Sequence, residues 1–188
     1  MNQVNNSYPT SMRIFHILGI VLVFLAFGFI FTRDLLGIGS SLRYVWLQGH
    51  FLAGLSVLVF VVLRSVNRFM NYQKIPPIVP PLTSLNQTLA HVAHMMLYLW
   101  MIVMPLLGWG LLSASYGGIT AFGIYIPEII EENREAARFL RELHEIGAVF
   151  GLVLIGGHAM MALLHHFKIR DTTLVRMFPW FRQRKKNK

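Results

Sequence analysis

Cysteine is absent from the chain. That excludes disulfides, iron–sulfur clusters, zinc-thiolate centres and the C-x-x-C-H attachment of a covalent haem. Charge is scarce as well: 13% of residues are charged, about half the roughly 25% of an ordinary soluble domain. Acids are the rarer sign, eight against seventeen Lys and Arg, which leaves a formal charge of +9. No nucleic-acid motif accompanies that charge, so nucleic acid is not expected as a partner. The basic residues instead gather at the ends of apolar runs and in the stretch 168–188, as suits contact with anionic lipid headgroups.

What fills the chain is hydrophobic sequence, 55% of its 188 residues. It falls into four runs, at about 14–31, 45–63, 89–112 and 146–164. Each is close to the roughly 20 residues that a helix needs to cross about 30 Å of hydrocarbon. The first run is followed by Thr32-Arg33-Asp34 rather than small residues, so a span is expected there and not a signal peptide. The expectation is an all-α integral membrane protein, a four-helix transmembrane bundle forming one domain over residues 1–188.

Lys and Arg counts orient it. With the N-terminus inside, twelve fall on the inner side and five on the outer, and six of the eight acids lie on the outer loop before the fourth run. Both termini are then cytoplasmic, if the membrane is a bacterial inner one. The inner connector Pro76-Pro77-Ile78-Val79-Pro80-Pro81 is stiff and cannot be helical. On the outer side, residues 128–143 have helix-forming composition and are expected to extend the fourth helix outward after a break near Pro127. Residues 1–10 are polar and read as a loose end.

The eight histidines carry the chemistry. An ionisable side chain inside a span is costly and reads first as functional. His144 and His158 are fourteen residues apart, which on a helix is about 21 Å of rise with directions agreeing to within about 40°. They face one way at two depths. Depth matching pairs His50 with His144 at the outer level and His16 with His158 at the inner level. Two imidazoles from different helices at each level would hold two b-type haems non-covalently. Interhelical hydrogen bonding is the plainer alternative for any single histidine. Zinc or copper would call for three or four converging ligands, with acids or thiols, and the spans supply neither.

At the inner level His91 or His94 could replace His16 or His158 as ligand. Otherwise His91, His94 and His165 suit a quinone pocket, since quinone reduction needs donors and protons near neutral pH, while His166 reads as an interfacial residue. Gly147, Gly151, Gly156 and Gly157 thin the fourth helix, as haem or plain helix packing requires. Arg13, Arg64 and Arg141 lie where they could meet haem propionates or simply lipid headgroups. Arg134, Arg138 and Arg141 share a helix face leading to His144, a strip that would draw a small anion, although glutamates are interspersed.

Several segments together resemble one family. They are Pro76-Pro77-Ile78-Val79-Pro80, Leu89-Ala90-His91-Val92-Ala93-His94, Met104-Pro105-Leu106-Leu107-Gly108, Phe122-Gly123 with Ile126-Pro127, Leu143-His144-Glu145, Gly157-His158-Ala159, Leu164-His165-His166, and Asp171-Thr172-Thr173-Leu174-Val175-Arg176-Met177. Over residues 12–179 the chain resembles the bacterial di-haem cytochrome b561 family, in particular its small superoxide-oxidase-like members. The resemblance implies His16, His50, His144 and His158 as haem ligands, and His94 and His165 as quinone-site positions. It implies that superoxide delivers electrons at the outer face, that they pass through two b haems to ubiquinone, and that oxygen is released. The chain departs from the family in its basic end, Trp180 onward, and at Ile17, where relatives often have an aromatic residue. The rival expectation is a cytochrome b subunit carrying electrons between a quinone and a partner dehydrogenase or hydrogenase. A transport protein is disfavoured, because a pore needs a polar path.

Overall fold

A computed structural model describes residues 7–181. The basic run after Phe181 and the first six residues lie outside the described residues. Four long helices form the body: α1 (Thr10–Arg33), α2 (Ser41–Met70), α3 (Ser84–Tyr116) and α4 (Arg134–Leu164). All four are long and apolar enough to cross a membrane, α4 together with the π turn that continues it. Each outruns its apolar run, because polar end turns carry the helix past the hydrocarbon into the headgroup region.

Local chemistry sets the ends. Ser40 caps α2 by accepting from the Arg43 amide at 3.2 Å, and Thr83 caps α3 by accepting from Asn86 at 3.3 Å. Asn133 caps α4 by accepting from the amides of Glu135 (2.9 Å) and Ala136 (3.0 Å). Such caps satisfy amides that have no partner within the helix. Pro105 sits inside α3, a position that spans tolerate better than soluble helices do. α3 ends at Gly117, whose φ of 65° suits a residue without a Cβ.

Helix α1 packs on α2 and α3 on α4, and α2 against α3 joins the two hairpins. Between α1 and α4 there is little backbone contact, so the bundle is open along that seam. Its middle is filled by Val57, Val61, Trp100, Met101 and Met104. The outer faces carry exposed Phe24, Val59, Leu99 and Val153, the inverse of a soluble bundle and the pattern that lipid calls for.

The two ends differ. At one, the strands β1 (Ile119–Ala121) and β2 (Ile124–Ile126) pair antiparallel around Phe122-Gly123, both at positive φ, the backbone of a tight hairpin turn. Gln48 of α2 accepts from the Phe122 amide at 3.0 Å. Trp109 donates to the Pro127 carbonyl at 2.8 Å, and Ser113 accepts from the Ile129 amide at 3.1 Å. This hairpin end corrects two expectations. The fold is mostly helical rather than wholly so, and residues 128–133 are not helical. Their backbone is tied back to α3, which leaves Asn133 as the true start of α4.

At the other, proline end, α4 runs into a π turn (His165–Ile169) that Arg170 stops at φ 61°. A short helix α5 (Thr173–Met177) then lies against the proline connector. Thr172 and Val79 exchange hydrogen bonds, from the Thr172 amide to the Val79 carbonyl at 3.0 Å and from the Val79 amide to Thr172 Oγ1 at 2.9 Å. Arg176 is buried and donates to the Pro76 carbonyl and to the Tyr8 hydroxyl. Burial pulls its pKa below the ordinary arginine value. Part of the stretch expected to meet lipid headgroups is therefore a folded belt.

Candidate functional site

The seam between the helix hairpins brings the four span histidines together in two pairs. At the hairpin end, His50 of α2 and His144 of α4 lie with ring centres 6.1 Å apart. At the proline end, His16 of α1 and His158 of α4 lie 6.3 Å apart. All four are half-buried. The reason is helical register: α4 presents one histidine at each depth, and α1 and α2 run antiparallel, so each brings its single histidine to a different end.

The His50–His144 pair faces a cavity of about 520 Å³ between the four helices, within the roughly 300–1,000 Å³ usual for small-molecule and cofactor sites. Apolar Phe27, Trp100 and Met104 line it, and Arg33, Asp34 and Arg141 stand at its rim. His50 Nδ1 lies 2.8 Å from the Ala26 carbonyl, a contact in which the ring nitrogen donates, so the proton sits there and Nε2 is left with a free lone pair. His144 Nδ1 is buried close to the Met104 carbonyl, outside ordinary hydrogen-bond geometry. A Cβ added at Gly108 would stand 3.1 Å from the His144 ring, so only glycine leaves that ring its present space.

The other pair is more crowded. Arg64 donates to His16 Nδ1 at 3.0 Å and lies over Tyr98 at 5.2 Å. Phe178 lies 5.8 Å from His16 between ring centres, and His94 lies 5.1 Å from His158. His94 Nδ1 donates to the Ala90 carbonyl at 2.5 Å. His91 is exposed and bonded to the Gln87 carbonyl at 2.8 Å. His165 is buried, its Nδ1 2.5 Å from Asp171, while His166 meets Phe167 edge-on with ring centres 4.8 Å apart. His94 thus joins the proline-end pair, whereas His91 does not.

Two imidazoles bound to one metal at about 2.0 Å each, on opposite sides, have ring centres roughly 6 Å apart. The spacings of 6.1 and 6.3 Å fit that requirement, and the 5.1 Å of His94 and His158 is too short for it. Among the described residues no three His, Asp or Glu side chains are placed to hold one metal ion together. The two spacings therefore fit a group held between two imidazoles at each level, and at the hairpin end the His50 tautomer fits as well.

The family model of the prokaryotic cytochrome b561 proteins matches residues 7–180. The chain belongs to the prokaryotic cytochrome b561 family. It is 34% identical to the probable superoxide oxidase CybB of Yersinia pestis over 165 residues, 87% of this chain and 91% of that protein. It is 29% identical to cytochrome b561 homolog 1 of Escherichia coli K12, over 93% of this chain and 98% of that protein. To cytochrome b561 homolog 2 of the same strain it is 29% identical over 68% of each. It is therefore a bacterial membrane electron-transfer protein and an oxidoreductase of a family that implies b-type haem.

Of the other expected residues, Arg141 lines the cavity beside His144, whereas Arg134 and Arg138 are exposed and do not. Arg13 donates to the Met177 carbonyl at 3.2 Å and faces Trp180 at 5.9 Å. Gly147 and Gly151 receive Met104 and Trp100 of α3, but Gly156 and Gly157 have nothing within 4 Å, so only half of that glycine set thins a packed face. The sequence reading missed Asp34, which sits at the rim paired with Arg33 (2.7 Å) and Arg43 (3.2 Å). It also missed Asp171. The signal for Asp171 was there: an acid in an otherwise basic stretch, six residues beyond a histidine.

Proposed function

We propose that this protein oxidises superoxide at its hairpin end and reduces ubiquinone near its proline end, through two b haems held by His50 with His144 and by His16 with His158. The hairpin end then faces outward and both termini are cytoplasmic, in the inner membrane. The observation that carries the reading is the pair of cross-helix histidine spacings, near 6 Å at both levels. The relative named superoxide oxidase supports the choice of donor.

Haem bound between paired imidazoles supplies one-electron redox chemistry with no open position at iron. The chain's own residues then decide the rest. His50 and His144 would hold the hairpin-end group from both sides and leave no place for oxygen to bind it, so a donor would pass its electron without coordinating. Arg33 and Arg141 at the cavity rim favour an anionic donor, an effect that salt screens. Each superoxide gives up one electron and leaves as oxygen. Two electrons with two protons convert ubiquinone to ubiquinol. His94 and His165, at the proline end, are placed to donate hydrogen bonds and protons to quinone oxygens, with Asp171 holding the His165 ring by its Nδ1.

Stopped-flow mixing of the purified, haem-loaded protein with superoxide, with and without ubiquinone, tests this. Rapid haem reduction followed by quinone-dependent reoxidation is expected. Haems inert towards superoxide but reducible through a co-purifying dehydrogenase or hydrogenase would overturn it in favour of a partner-dependent carrier.

A further inference from the structure

Between the two histidine pairs lies one large aromatic side chain that neither pair uses. Trp100 is buried, and three helix registers place it at mid-depth. On α4 it lies against Gly151, seven residues from His144 and seven from His158. On α2 it packs in the cluster with Val57, seven residues from both His50 and Arg64, the latter bonded to His16. On its own helix it falls between His94, beside His158, and Gly108, under the His144 ring. From α1, Phe27 stacks on it with ring centres 6.3 Å apart and planes 4° from parallel.

The seat is specific. The Trp100 indole donates from Nε1 to the Gly147 carbonyl at 2.7 Å. A Cβ at Gly151 would overlap the indole ring outright, so the ring lies directly on the α4 backbone. Both Trp100 and Phe27 also line the cavity that His50 and His144 face. A smaller aliphatic residue would fill the core, but it would leave a saturated or empty gap at mid-depth. An extended π system at fixed orientation provides continuous, polarizable atoms there.

We propose that Trp100, with Phe27 stacked on it, carries the electronic coupling between the two histidine sites. This rests on the reading that each pair holds a haem. With both groups bound, one electron would pass from the hairpin-end site, which is oxidised, to the proline-end site, which is reduced. No bond forms or breaks, and the indole keeps both its electrons and its proton. The protein's contribution is position alone.

The test uses full-length protein loaded with haem, in detergent, with one electron delivered from a photoexcited water-soluble donor. Rapid-freeze electron paramagnetic resonance resolves the two ferric haems, and haem content, g-values and midpoint potentials are measured alongside. Trp100→Leu is expected to slow transfer between the sites severalfold, with those three properties unchanged. Trp100→Phe, which keeps a ring on Gly151, is expected to fall between it and the parent. Packing alone would shift g-values or haem content together with thermal stability and leave the transfer rate of the loaded protein intact. An unchanged rate in Trp100→Leu with both haems present overturns the proposal and leaves the proposed function standing. Should Trp100→Leu lose haem, Phe27→Leu decides, since it removes the stacking partner without touching the Gly151 seat: slower transfer supports the coupling role, and an unchanged rate overturns it. Parent protein holding fewer than two haems overturns the underlying reading instead.

Discussion

The hairpin end and the proline end of this bundle each present a pair of histidines at nearly the same spacing, 6.1 and 6.3 Å, yet their surroundings differ in kind. The hairpin-end pair faces an open, mostly apolar cavity with a mixed-charge rim. The proline-end pair is pressed by an arginine, a third histidine and an aromatic ring, beneath a belt of hydrogen bonds centred on Arg176 and Thr172. Equal spacing with unequal surroundings is what a directional electron path needs. On the proposed reading, similar histidine pairs would hold similar groups, while their surroundings make the two ends unequal in access.

The largest expected effect separates the two levels. His144→Ala and His158→Ala should each lower haem content by about half, because a bis-imidazole site loses its group with either ligand, and a haemochrome assay reads this directly. If neither variant loses haem, the two-level arrangement is wrong. Next comes the crowded end. His16→Ala should lose the proline-end haem, whereas His94→Ala should keep both haems and slow reoxidation by ubiquinone. The reverse pattern in the haem spectra would make His94 the ligand and break the pairing drawn from the 5.1 Å contact.

A third comparison sits between the ends. Gly151→Ala pushes a methyl into the Trp100 ring, a rigid neighbour, and should destabilise the bundle by about 1–3 kcal/mol, as overpacking does. Gly156→Ala has open space and should be neutral or stabilising by up to about 1 kcal/mol through helix propensity. Thermal unfolding in detergent compares the two.

The smallest effect belongs to the rim. Side-chain bonding from Arg33 holds the Asp34 carboxyl below its usual value, so its pairing with Arg33 and Arg43 stands at all pH above the ordinary carboxylate range. It is lost only as pH falls through that depressed value. The superoxide reaction should therefore show no Asp34-dependent step near neutral pH. Asp34→Asn frees both arginines and should raise the superoxide rate by no more than about threefold at low salt, with the gain vanishing as salt rises. A rate that falls, or a gain indifferent to salt, would remove the rim from the account.

The sequence by itself determined the spans, the four histidines and their depths. A run of about 20 apolar residues has one stable state in a bilayer, and helix geometry converts residue number directly into depth and direction. It failed where the answer depended on contacts between distant segments. Residues 119–133 became a hairpin and a tethered loop because Gln48, Trp109 and Ser113 of other elements take up their backbone groups. Arg176 left the lipid-facing set because a carbonyl some hundred positions earlier accepts from it. Only the tertiary structure decided that His94 crowds His158 without matching the spacing of the pairs, and that Trp100 rests on Gly151 midway between them. Depth is a property of one helix, but facing is a property of two, and which faces meet is settled by packing.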